Sequence, residues 1–139
     1  MFSYEKSNYR IFRLLMYKIY KNKVFKTKIG ELIKFINKDS KILKKFGEIY
    51  FNNIKNSKKK NDWILHKKYQ CIILVINGRV NFSIKNRNQI KNLKLDNNII
   101  LKINPGTWFS FSSITKNALF VNLIDGIHNP KETIRKKID

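Results

Sequence analysis

Cys71-Ile72-Ile73-Leu74-Val75-Ile76-Asn77-Gly78-Arg79-Val80-Asn81-Phe82-Ser83-Ile84-Lys85 is the stretch that decides the fold. Its first half is a short continuous apolar run, the mark of a strand buried on both faces. Its second half alternates, with Val80, Phe82 and Ile84 against Asn81, Ser83 and Lys85, the mark of a strand with one wet face. Asn-Gly between them favours positive φ and reads as a type I′ hairpin that fixes two adjacent strands in register.

Working outward, the same period-two pattern recurs between turn residues. It places strands at 31–36, 46–54, 62–66, 70–76, 79–85, 90–95, 99–103, 107–111 and 118–125. Such a run of short strands is an all-β sandwich or barrel, and a jelly roll is within its reach. Asn104-Pro105-Gly106-Thr107 reads as a type II turn, with Pro presetting φ and Gly taking the positive value that follows. The segments 55–61 and 86–88 read as polar connections. Asn129-Pro130-Lys131-Glu132 combines an N-cap residue, Pro at the first helical position and Glu at the third, so a short C-terminal helix is expected through Thr133 and Lys137.

With 139 residues, 42% of them apolar, the chain suits one core and needs neither a metal nor a disulfide to fold. Residues 24–139 are assigned to the domain and 1–23 to an extension forming a short helix or a leading strand. Cys71 is the single cysteine; within an apolar run it reads as an inert buried thiol in a reducing, cytoplasmic setting. No apolar stretch approaches the roughly 18 residues of a membrane span, Arg13 and Lys18 interrupting the best one, so no membrane partner is expected.

Thirty Lys and Arg against nine Asp and Glu give a formal charge of +21. Such an excess points toward phosphate-bearing partners. It also fits a chain in which Ile, Lys, Asn and Phe abound while alanine occurs once, at Ala118, as an AT-biased coding sequence would produce. Nucleic acid is therefore not the expected partner, and a basic nucleic-acid-binding β-barrel stands as the third reading. Gly-rich phosphate loops, paired cysteines and His-Glu-x-x-His are absent.

Five segments in order carry a family resemblance: Phe46-Gly47-Glu48-Ile49-Tyr50-Phe51, Asp62-Trp63-Ile64-Leu65-His66-Lys67-Lys68, Asn77-Gly78-Arg79-Val80, Pro105-Gly106-Thr107-Trp108-Phe109-Ser110-Phe111 and Ile127-His128-Asn129-Pro130-Lys131-Glu132. Together they resemble the nucleotide-sugar cupins, the dTDP-4-dehydrorhamnose 3,5-epimerase-like proteins and the related dTDP-sugar 3,4-ketoisomerases. The resemblance implies a cupin jelly-roll β-barrel, usually a homodimer, without metal or other cofactor. It implies binding of a dTDP-linked or other nucleoside-diphosphate 4-keto-6-deoxyhexose in surface-polysaccharide biosynthesis. The implied chemistry is proton abstraction beside the ketone by a histidine pointing into the barrel.

His66 is the matching position, on the same strand face as Ile64, and an imidazole is suited to accept a proton near neutral pH. The alternative is a structural histidine at a strand end. The family pattern is incomplete. Ile64 stands where ketoisomerases carry a further histidine, and Asn122 where the epimerases carry an acidic tyrosine. Asn61-Asp62 replaces an Arg-Gly, and Phe109 stands where many cupins hold a metal-ligating histidine, so no metal site is expected. Tyr50 is the substitute acid. Substrate contacts are assigned to Arg79 and Lys67 for a diphosphate, to Trp108 for stacking, and to Asn122. A cupin that binds a sugar nucleotide without reacting is the second reading.

Overall fold

A computed structural model describes residues 16–138. The described residues are all-β in their regular structure, with twelve strands: β1 (Tyr17–Lys21), β2 (Val24–Thr27), β3 (Gly30–Ile33), β4 (Glu48–Ile54), β5 (Trp63–His66), β6 (Cys71–Asn77), β7 (Val80–Asn86), β8 (Gln89–Leu95), β9 (Ile99–Ile103), β10 (Trp108–Ser113), β11 (Ala118–Ile124) and β12 (Thr133–Lys136). Two five-stranded sheets face each other. One has the order β1-β9-β6-β11-β4 and the other β12-β5-β10-β7-β8, while β2 and β3 form a separate hairpin. This is the jelly roll expected from the alternation. The first strand lies within residues 1–23, pairs with β9 and places Tyr17 in the core at 2% exposure.

The apolar run of β6 is explained by burial on two sides. Cys71, Ile73 and Val75 point between the sheets, with Phe82, Ile84, Leu101 and Phe120. Ile72 and Leu74 point outward yet remain buried beneath Phe35, Ile36, Ile42 and Leu43. An edge-to-face aromatic chain fills the centre. Phe120 lies 5.2 Å from Phe82 and 4.9 Å from Phe111, and Phe109 carries the row on to His66 at 6.2 Å.

Two sequence expectations are corrected. Asn77-Gly78 is not a hairpin, because β6 pairs with β9 and β11 whereas β7 pairs with β8 and β10. It is an arch carrying the chain from one sheet to the other. Only Gly78 takes positive φ there, at 74°. A Cβ on Gly78 would lie 2.4 Å from Thr115 Oγ1, and the Arg79 N–H donates to that same oxygen, so the arch is locked against the β10–β11 connection. The Pro105-Gly106 turn, with Gly106 φ at 77°, is likewise a crossing between sheets, from β9 to β10.

The C-terminal helix is absent. Asn129 does cap a turn: its Oδ1 accepts the Lys131 N–H and its carbonyl the Glu132 N–H. The chain then extends as β12 along β5, pairing Thr133 with His66 and Arg135 with Ile64. The Glu132 side chain, needed at N3 to close a capping box, is instead buried against His66, Lys68 and Tyr69 at the end of β5.

Candidate active site

Between the sheets lies a cleft of about 660 Å³. Its walls come from β4, β6 and β11 on one side and β5, β10 and β12 on the other. Strand alternation dictates which side chains reach it. On β5, Ile64 and His66 face the cleft while Trp63 faces outward; on β10, Phe109 and Phe111 face in and Trp108 does not. On the opposite wall Tyr50 and Asn122 are cross-strand partners on β4 and β11, and both line the cleft.

His66 sits at the end of β5 with its side chain 14% exposed, stacked near Phe109 at 23° between ring planes. Its backbone carbonyl accepts the Gly106 N–H at 2.7 Å, so the Pro105-Gly106 turn anchors the strand end. Its Nδ1 lies 2.9 Å from Glu132 Oε2. Glu132 is 5% exposed and fully used: Oε1 accepts the N–H groups of Lys68 and Tyr69, and Oε2 also accepts the Thr133 hydroxyl. Burial acts to raise the Glu132 carboxyl, but the hydrogen bonds from His66, Lys68 and Tyr69 outweigh it and hold the group below its ordinary 4.5. A carboxylate beside Nδ1 selects the tautomer that carries the proton on Nδ1, leaving the Nε2 lone pair free.

Across the cleft the Tyr50 hydroxyl donates to Glu48 Oε2. Burial first, then the hydrogen bond to Glu48 and its charge, push the Tyr50 phenol up to about 12. It is therefore a protonated donor throughout the working range. Asn122 is 9% exposed, and its Oδ1 has no hydrogen-bond partner, a buried acceptor left open at the cleft wall. The site thus sets an imidazole, paired with a carboxylate, against a phenol donor.

The six residues singled out from the sequence divide evenly. His66, Tyr50 and Asn122 meet in the cleft; Arg79, Lys67 and Trp108 do not line it. Arg79 is exposed at the β6–β7 arch, Lys67 is exposed beyond β5, and Trp108 pairs with Lys85 on the outer side of its sheet. Glu48, Arg135 and His128 are the cleft residues that sequence reading missed, and Glu132, which does not line the cleft, is the missed partner of His66. Among the described residues no three His, Cys, Asp or Glu side chains gather as a metal-binding cluster, and no helix is long and apolar enough to cross a membrane.

A family model described as FdtA: WxcM-like, C-terminal matches residues 16–139. No curated protein matches the chain. Among solved structures, a dTDP sugar isomerase from Desulfovibrio desulfuricans G20 is 22% identical over 88% of this chain and 85% of its own, with a TM-score of 0.82. QdtA, a sugar 3,4-ketoisomerase from Thermoanaerobacterium thermosaccharolyticum in complex with TDP, is 20% identical over 88% and 90%, with a TM-score of 0.79. The 3,5-epimerase RmlC from Legionella pneumophila, in complex with dTDP-4-keto-L-rhamnose, is 12% identical over 86% and 71%, with a TM-score of 0.73. These likenesses establish the shared fold.

Proposed function

The chain belongs to the FdtA family of WxcM-like C-terminal domains, and from that premise we propose that it is a sugar-nucleotide isomerase or epimerase acting on a dTDP-4-keto-6-deoxyhexose. The observation that carries the reading is the His66–Glu132 pair at 2.9 Å in a cleft whose other wall presents the Tyr50 hydroxyl. The solved relatives bound to TDP and to a dTDP-keto-sugar support the substrate class. Surface-polysaccharide assembly is the pathway proposed, and a homodimer the proposed assembly.

A ketone acidifies the C–H bonds beside it, and a base with a matched donor at the oxygen makes the enolate accessible. His66 Nε2 takes the proton from the carbon next to the ketone, and Glu132 stabilises the imidazolium through Nδ1–H. The electron pair of the broken C–H bond forms a C–C double bond, and the former ketone oxygen takes the Tyr50 proton. In an isomerisation the neighbouring hydroxyl gives its proton to the Tyr50 phenolate and becomes the new ketone, while the imidazolium returns its proton to the old ketone carbon. In an epimerisation the proton returns to the first carbon on its other face. The residues of this chain supply all of the isomerisation from two walls. The second route needs a further acid.

Incubating the protein with dTDP-4-keto-6-deoxyglucose in deuterated water tests this. Deuterium should enter at a carbon next to the original ketone or at that carbon itself, and His66→Ala should abolish the incorporation. No incorporation across a panel of nucleoside-diphosphate keto-sugars would refute the catalytic reading; stabilisation by dTDP without exchange would then mark a binding cupin.

A further inference from the structure

Glu48 is the one carboxylate among the described residues that line the cleft. On β4 it shares a face with Tyr50, two residues on, while Ile49 between them turns out to solvent. Glu48 pairs with Ile124 on β11, and Ile124 pairs with Cys71 at the start of β6. The turn 67–70 runs from His66 to Cys71, so Glu48 stands at the His66 end of the cleft, on the facing wall. No lysine or arginine forms an ion pair with it among the described residues. The hydrogen bond it accepts comes from the Tyr50 hydroxyl, which has a single proton to give.

When that proton moves to a ketone oxygen, it leaves a carboxylate and a phenolate side by side. The phenolate is the stronger base, since the Tyr50 phenol is pushed up to about 12 by burial and by Glu48. A keto-sugar with a hydroxyl beside its ketone presents the complementary pair, one oxygen that must gain a proton and a neighbour that must lose one. Resting on the reading of the cleft as a keto-sugar site, we propose that Glu48 is a catalytic residue, the carboxylate that takes the proton of the hydroxyl beside the ketone and passes it to Tyr50. The Tyr50 O–H bond breaks as the ketone oxygen takes its proton. The O–H bond of the neighbouring hydroxyl breaks as a Glu48 oxygen takes that proton, and the new ketone forms there. The proton then crosses the hydrogen bond between Glu48 and Tyr50, which restores both side chains. The carbon-bound proton stays with His66 throughout. Epimerisation moves no proton between oxygens, so Glu48 bears on isomerisation alone.

Two rates measured by proton NMR on one sample test the assignment: deuterium entering dTDP-4-keto-6-deoxyglucose from deuterated water, and appearance of the isomeric ketone. Glu48→Gln still accepts the Tyr50 hydroxyl through its amide oxygen but cannot take a proton. The ratio of label exchanged to ketone isomerised should therefore rise about 100-fold, the contribution of one positioned acid–base group, with label accumulating in unconverted substrate. Glu48→Asp keeps a carboxylate and should recover part of the isomerisation. A Glu48→Gln protein that isomerises at the wild-type rate, or one that loses exchange and isomerisation in equal proportion, overturns the assignment. So does a wild-type protein that exchanges label and forms no isomeric ketone, which leaves the reading of the cleft intact. A wild-type protein that does neither overturns that reading as well, so the two failures are distinguishable.

Discussion

Replacing Glu132 by Gln is isosteric, and the structure shows why neither orientation of the amide can serve. Oε1 now receives two backbone N–H groups, from Lys68 at 3.1 Å and Tyr69 at 3.2 Å, while Oε2 faces His66 Nδ1 at 2.9 Å. If the amide oxygen keeps the backbone donors, the NH₂ group faces Nδ1 and can be accepted only by the opposite tautomer. The proton then sits on Nε2, and His66 is no longer a base. If the amide oxygen turns toward His66, the NH₂ group meets two N–H donors, at a cost of about 1–3 kcal/mol for each buried group left unpaired. Either orientation also removes the charge that stabilises the imidazolium.

Tautomer reversal behind an orienting carboxylate can cost up to about 10⁴ in rate. We expect a fall of roughly 10²- to 10³-fold in the deuterium exchange rate, because the alternative amide orientation preserves some correct tautomer at the expense of stability. The sign of the pH effect follows from the lowered Glu132 pKa. The ionised carboxylate stabilises the fold above its ordinary 4.5, and this stabilisation is lost as the pH falls through the folded-state value. Wild-type stability should therefore fall more steeply on acidification than that of Glu132→Gln, read from urea midpoints between neutral pH and pH 3. An E132Q protein that exchanges within threefold of the wild-type rate would refute the orienting role.

Two further outcomes follow from the same geometry. Tyr50→Phe removes the donor at the ketone oxygen and should lower kcat about 10²-fold with little change in KM or melting temperature; an unchanged kcat would assign the acid elsewhere. Gly78→Ala must place a Cβ in the left-handed region and against Thr115 Oγ1 and Asn117 O at 2.4 and 2.5 Å. A loss of about 2–4 kcal/mol in urea unfolding is expected, and a neutral result would mean that the β6–β7 arch can relax.

The strands were legible because their pattern is local. Alternation from Val80 to Lys85 and the unbroken apolar run before it mark one strand wet on one side and another buried on both. What the pattern lacked was the identity of each strand's partner. Asn77-Gly78 has the residues of a hairpin, and only the remote loop at Thr115 and Asn117 makes it an arch. The C-terminal cap was also read correctly as far as it went, since Asn129 holds its turn. Propagation failed because Glu132 finds three donors at the end of the adjacent strand β5 and the turn after it, His66, Lys68 and Tyr69. His66 and Tyr50 were within reach through strand position and family pattern. Glu132 was not: it lies 66 residues from its partner, in a motif that had a sufficient local explanation.

Jelly-roll connectivity supplies what the chemistry requires. A proton leaving carbon and a donor at the neighbouring oxygen must approach the substrate from different directions, and side chains on one sheet face cannot do both. The link from β4 to β5 crosses between sheets, so Tyr50 and His66, close in sequence, come to stand on facing walls. The end of the chain then adds the Glu132 carboxylate at His66 Nδ1, just before β12, and on β12 the Thr133 hydroxyl beside that carboxylate and the Arg135 guanidinium. The chain's large positive charge plays a small part inside the cleft. Among the described residues, Arg135 is the one Lys or Arg that lines it.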